Sequence, residues 1–159
     1  MKDICLVSLD VSTKKTGYAI FKNGNYSLSG LISYEKEKDL DERLRGMSMN
    51  ILSVLDIYKP QIISIEDTYC GRNPSVQKSL NRLQGVIYGW AVRNNADFNL
   101  YLPTQWRKYI DEIPTKGKRN DLKEKAIEYA VKKYKEDIND DEAEAICIGE
   151  ATLKMYEEV

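Results

Sequence analysis

Four acids, Asp10, Glu66, Asp141 and Glu144, are where chemistry can be built in this chain. Asp10 ends an apolar run, Ile4-Cys5-Leu6-Val7-Ser8-Leu9, and Glu66 ends another, Ile62-Ile63-Ser64-Ile65. Short apolar runs rich in strand formers read as strands buried on both faces. Each of these carboxylates therefore falls at a sheet edge. Asp141 and Glu144 are spaced i, i+3 and share one face of a helix; Asp140 and Glu144, at i, i+4, are the competing pair. An acid after a strand can also be a turn cap, and acids in a first helical turn offset the helix dipole. What argues for a joint site is that three acidic positions all fall at element ends. Gathered carboxylates repel one another, and their pKa values rise unless cations intervene. Hard cations prefer oxygen ligands, so the expected partner is Mg²⁺, with Mn²⁺ as a substitute. Two such ions stabilise both the attacking and the leaving oxygen of an in-line phosphoryl displacement. The sequence has no histidine, which excludes every His-dependent mechanism.

The elements that must position these acids follow from the pattern. A second strand is expected over 17–22, then the hairpin signal Asn23-Gly24 and a third strand over 26–34. From Asp39 to Tyr58 apolar residues recur at helical spacing, and Lys59-Pro60 ends the helix. The strand before Glu66 comes next. A helix-crossing connection between buried strands makes them parallel neighbours, so Asp10 and Glu66 are expected side by side. Residues 75–94 read as a helix with Val76, Leu80, Leu83, Ile87 and Trp90 on one stripe. Core packing accounts for such a stripe, and its heptad-like spacing also permits a dimer seam. A last strand covers 98–102. Pro103 stops it, and Thr104 is positioned to cap a short helix including Trp106 and Tyr109. Helices over 121–134 and from about 139 to 156 complete the chain. The expected fold is α/β: a mixed five-stranded sheet with helices on both faces, in a single domain over 1–159.

Composition sets the setting. At 159 residues, 42% hydrophobic and 31% charged, the chain has the profile of one soluble globular domain. It has no apolar run long enough for a membrane span and no signal-peptide pattern at Met1-Lys2-Asp3. Three widely spaced cysteines, Cys5, Cys70 and Cys147, point to reduced thiols in a cytoplasm. Net charge is −1, but its distribution is uneven. No acid lies between Asp67 and Asp97, where Arg72, Lys78, Arg82 and Arg93 fall. Bases also outnumber acids from Tyr101 to Lys133, among them Arg107, Lys116, Lys118 and Arg119. Each cluster alone reads as a solvated helix face; together with the acids they suit a phosphate backbone.

Four pieces of the chain resemble the RuvC family of Holliday-junction resolvases, within the RNase H-like superfamily and closest to its compact phage-type members. Leu9-Asp10-Val11-Ser12 through Thr16-Gly17-Tyr18 is similar to the family's first-strand motif, and Ile65-Glu66-Asp67-Thr68-Tyr69 to its second, followed by Leu83-Gln84-Gly85. Tyr101-Leu102-Pro103 with Lys118-Arg119 resembles the basic segment, and Asp141-Glu142-Ala143-Glu144-Ala145-Ile146 the acidic final helix. The resemblance implies an RNase H-like fold and a metal-dependent endonuclease in which Asp10, Glu66, Asp141 and Glu144 are the catalytic and metal-binding set. It implies action on branched DNA, four-way junctions and forks, by a homodimer in the cytoplasm of a bacterial host, with a phage gene as one source. Tyr69 would contact bases at the junction centre. Arg107 and Arg119 would hold DNA near the scissile phosphate, with Arg72, Lys78, Arg82, Lys116 and Lys118 as further DNA contacts. The stripe from Val76 to Trp90 becomes the interface candidate. Val11-Ser12 stands where the family usually has Pro-Gly, and Glu144 where it usually has Asp.

Two other functions fit parts of the pattern. A non-catalytic branched-DNA-binding module would use the acids only as caps. An actin-like or sugar-kinase-like phosphotransferase would use Asp10-Val11-Ser12 with Thr16-Gly17 as a phosphate loop, but 159 residues do not supply two such lobes.

Overall fold

Strand β1, Cys5–Asp10, is the spine of a five-stranded sheet in the order β3-β2-β1-β4-β5. The computed structural model describes residues 3–67, 73–134 and 137–159. Strands β2 (Lys15–Lys22) and β3 (Asn25–Ser33) form a hairpin antiparallel to β1. Asn23 and Gly24 both take positive φ, 54° and 79°, as a two-residue hairpin turn requires. Strands β4 (Ile62–Glu66) and β5 (Asp97–Tyr101) add in parallel on the other side. The mixed sheet expected from the sequence is therefore present.

Alternation along β1 divides the core. Leu6 faces one layer, and Val7 and Leu9 face the other. The second layer holds α1 (Leu40–Tyr58) and α2 (Pro74–Asn94), which cover the sheet with Met47, Ile51, Leu55, Leu83, Ile87 and Trp90. The first layer holds α3 (Pro103–Arg107), α4 (Arg119–Tyr134) and α5 (Asp140–Glu157). Helix α5 lies close to the strands because small residues face it. Ala143, Ala145 and Gly149 are fully or nearly buried, and the Ser8 hydroxyl donates to the Ala145 carbonyl at 2.6 Å. Helix α4 is tied to α5 through buried Glu150, which accepts from the Tyr129 hydroxyl at 2.6 Å, Lys133 at 2.5 Å and the Tyr134 hydroxyl. Among the described residues no helix is long and apolar enough to cross a membrane.

Helix ends follow their local chemistry. Asp39 caps α1 by accepting from the Glu42 amide, and Asn73 caps α2 ahead of Pro74. Lys59 and Asn95 close the same helices in the left-handed conformation.

Two expectations need correction. Thr104 does not cap α3, and Tyr109 lies beyond it. Leu102 is the cap residue, its amide donating to the Gln105 side chain at 2.8 Å, and Pro103 opens the helix because its missing N–H costs nothing there. Most of the stripe on α2 belongs to the core rather than to a dimer seam. Leu83, Ile87 and Trp90 are 1%, 0% and 8% exposed within this chain's own core, and Val76 and Leu80 line a cleft instead. A seam needs side chains free to meet another copy; Leu83, Ile87 and Trp90 are already committed, whereas Val76 remains half exposed.

Candidate active site

Parallel register places the first two acids together. Leu9 pairs with Ile65, so Asp10 and Glu66 follow at neighbouring carboxyl ends of β1 and β4. The third comes from α5, whose first turn crosses the sheet at Gly17. Gly17 is the antiparallel partner of Asp10, and it lies directly against the Asp141 backbone. Asn139 caps α5 and sets its start, accepting from the Glu142 amide at 2.9 Å. Glu144 then projects one turn further along the same helix. All four acids line one cleft of about 680 Å³.

The same cleft also carries bases. Arg107 from the end of α3, Arg119 and Lys123 from the first turns of α4, and Lys14 from the β1–β2 turn all line it. Among the described residues the Arg107 Nε is buried without a hydrogen-bond partner, and its guanidinium lies 5.0 Å from the centre of the Trp106 ring. The β1–β2 turn is held by Ser12, whose Oγ accepts from the amides of Lys14 and Lys15 at 3.2 Å each. Ser12 and Thr13 add hydroxyls to the lining.

Electrostatics couple the acids. The Asp10 carboxyl is pushed well above the usual carboxylate range by desolvation first, then by Glu144 within hydrogen-bonding reach, and by Glu66 and Asp141. Desolvation also raises Glu66. A hydrogen bond from the Trp106 indole opposes that rise, Glu144 adds to it, and Arg107 and Arg119 pull it back. Asp141 is raised by desolvation and by Asp140, with Lys123 and Lys15 opposing. Asp140 is lowered by its 2.6 Å bond to Lys123.

Two acids facing each other at hydrogen-bonding range need a shared proton or a cation between them. Among the described residues no three acids yet converge tightly enough to enclose an ion, so the carboxylates stand as adjoining walls. Their donor chemistry nonetheless fits a hard divalent cation: oxygen ligands only, with mutual repulsion that a cation relieves. Asp10, Glu66, Asp141 and Glu144 are the residues that would hold it. The neighbouring acids have other roles: Asp140 pairs with Lys123, and Glu142 serves the Asn139 cap and accepts from Ser29.

The DNA-contact candidates from the sequence divide. Arg107 and Arg119 reach the cleft. Lys116 and Lys118 are exposed in the loop before α4, where Gly117 touches the cleft rim. Lys78 and Arg82 are exposed on α2, two positions away from the cleft-facing Val76 and Leu80, and so on a different side of the helix. Tyr69 and Arg72 lie outside the described residues. The sequence reading left three participants without a site role. Lys123 was discoverable, since it stands i+4 from Arg119 on a helix. Lys14 and Trp106 carried no signal separating them from a surface lysine and a core aromatic.

A mixed sheet in this order, with acids at the ends of adjacent parallel strands and on the helix crossing them, belongs to the RNase H-like class. The model of the family described as crossover junction endodeoxyribonuclease RuvC matches residues 6–149, and the chain belongs to that family. The RuvC of Hydrogenovibrio crunogenus is 30% identical over 109 residues, 66% of this chain and 63% of that protein. The first relatives are thus matched over slightly less than two thirds of their length. Rickettsia prowazekii RuvC is 24% identical over 152 residues, 93% of this chain and 96% of its own. Among solved structures, Thermus thermophilus RuvC in complex with a Holliday junction substrate superposes with a TM-score of 0.75 at 12% identity, covering 97% of this chain and 96% of that one. The fowlpox virus resolvase, solved with its Holliday junction DNA, gives 0.69 at 16% identity, covering 96% and 99%. At these identities the likeness is one of fold.

Proposed function

We propose that this chain is a divalent-metal-dependent, structure-selective endodeoxyribonuclease that resolves four-way junctions and cuts other branched DNA by paired nicks. The observation that carries this is one cleft lined both by Asp10, Glu66, Asp141 and Glu144 and by Arg107, Arg119 and Lys123, in a chain of the RuvC family. Acids alone would repel a phosphodiester. Bases alone would bind one and leave it intact. Together in one cleft, they can hold a phosphate and serve its hydrolysis.

The cleft lining supports these residue roles. Arg107 and Arg119 pair with the phosphates flanking the cut, and Lys14 reaches the strand from the hairpin side. Asp10 and Glu144 form the close pair on which a cation would bind, and Glu66 and Asp141 complete the walls. The cation is Mg²⁺, with Mn²⁺ as substitute, in two copies; when bound, they stabilise the attacking and departing oxygens of an in-line displacement. The enzyme works in a reducing cytoplasm, consistent with its free thiols at Cys5 and Cys147.

Paired nicks call for two active sites and so for a homodimer. The outer face of α2 supports one: Tyr88 and Val92 are 56% and 63% exposed, and Gly85 and Gly89 have open space where a side chain would project.

The test is cleavage of a synthetic four-way junction, a fork and a linear duplex, with and without Mg²⁺, beside Asp10→Asn. Symmetric Mg²⁺-dependent nicks in the junction, absent in the variant, are expected. Binding without cutting under both Mg²⁺ and Mn²⁺ would replace this reading with a non-catalytic junction-binding module.

A further inference from the structure

Trp106 touches both kinds of charge in the cleft while being only 1% exposed itself. Its indole N–H donates to Glu66 Oε2 at 2.7 Å. Its ring lies 5.0 Å from the Arg107 guanidinium carbon. The chain path makes this possible. Glu66 pairs with Tyr101 across β4 and β5, and the Asp67 amide donates to the Tyr101 carbonyl at 2.7 Å. From Tyr101 the chain turns at once into α3, whose start Pro103 and the Gln105 side chain define. One turn later Trp106 is beneath the strand end it has just left.

A buried indole needs an acceptor for its N–H. Here the acceptor is a carboxylate of the acidic set rather than a backbone carbonyl, and a charged acceptor makes the bond stronger. A glutamate at a strand end has three side-chain torsions to lose on ordering. The Trp106 bond engages one of its two oxygens from below, where the ring is locked by the core around α5.

We propose that Trp106 is a positioning residue for Glu66: its indole N–H engages Oε2 so that Oε1 is presented to the cation, while its ring face holds Arg107 beside the same acid. Spacing between a metal-holding carboxylate and a phosphate-holding guanidinium is then set by one buried ring. This rests on the metal-dependent nuclease reading above. The bland alternative is a packing residue whose N–H takes the nearest acceptor.

Trp106→Phe keeps an aromatic ring under Arg107 and deletes the N–H. The first readout is the midpoint of Mg²⁺ binding, its Kd, taken from the dependence of melting temperature on Mg²⁺ concentration, which needs no cleavage. Loss of a partner behind a metal ligand typically weakens metal affinity by about 10–100-fold, so the midpoint is expected to rise at least about tenfold. Single-turnover cleavage should recover as Mg²⁺ is raised. A purely structural Trp106 would lower the melting temperature equally at every Mg²⁺ concentration and leave the midpoint in place; that result overturns the proposal. If Trp106→Phe does not fold, 3-benzothienylalanine at position 106, which replaces the N–H by sulfur at nearly the same shape, makes the same test. No response of the unaltered protein to Mg²⁺ or Mn²⁺ would overturn the metal reading and this inference together. A normal response shared by the variant overturns this inference alone.

Discussion

Gly17 and Asp141 are in backbone contact: a Cβ on Gly17 would overlap the Asp141 carbonyl. Because Gly17 is also the cross-strand partner of Asp10, this contact decides how near the acidic helix comes to the acidic strand. Gly17→Ala is therefore expected to displace the start of α5. Overpacking of this kind costs about 1–3 kcal/mol, measurable by urea unfolding. Mg²⁺-dependent thermal stabilisation should fall with it, because Asp141 and Glu144 move away from Asp10. An alanine variant with normal stability and a normal Mg²⁺ response would show that the contact yields without consequence.

Asp10 makes the metal-free protein sensitive to pH. Its folded pKa is raised above the unfolded value by burial and by Glu144, so the folded state holds the proton more tightly. Its contribution to stability is present below the ordinary carboxylate pKa and is lost as pH rises through the raised folded value. Asp10→Asn should flatten this fall and raise the metal-free melting temperature at pH 7. The same variant should lose Mg²⁺ stabilisation, about 2.7 kcal/mol in the unaltered protein at a hundredfold excess over Kd. It should bind a junction without cutting it. A pH–stability profile identical to that of the unaltered protein would remove Asp10 from the coupled set.

Arg119 opens α4 and lines the cleft. Arg119→Ala should weaken junction binding across sequences and lower the salt dependence of log K by about one phosphate contact. Titrations at several salt concentrations, in the absence of divalent metal, measure this. An unchanged slope would mean that Arg119 meets no phosphate.

The exposed face of α2 offers Tyr88 to a second copy. Tyr88→Glu would bury a charge in that interface and is expected to convert a dimer to a monomer in light scattering, with the separated subunit losing only its edge-on Tyr88–Phe98 ring contact, about 0.5–1.5 kcal/mol. Cleavage should then shift from paired to single nicks. A dimer that survives the glutamate would relocate the interface.

The fold was legible because its signals are local. Apolar runs closed by Asp10 and Glu66, the Asn23-Gly24 turn and the amphipathic spacing of 39–58 need only neighbours in sequence to be read. The acids were legible for the same reason, each standing at an element end. The α2 stripe shows where this stops. Periodicity states that Leu83, Ile87 and Trp90 share a face, but a core and a partner subunit require the same pattern. Only the packing of α1 and α2 on the sheet decided that the face is spent inside the chain.

Sequence alone thus determined the four acids of the candidate site and the elements that carry them, since these depend on composition and short-range spacing. Tertiary structure alone decided which of them meet. Asp10 and Glu144 are far apart in the chain and neighbours in the cleft. Glu66 finds Trp106 across a strand and a turn, and Lys123 is drawn to Asp140 between two helices. These contacts depend on the register of β1 with β4 and on the close seat of α5 over Gly17, and such long-range geometry is set by packing of the whole sheet, not by any stretch of residues read by itself.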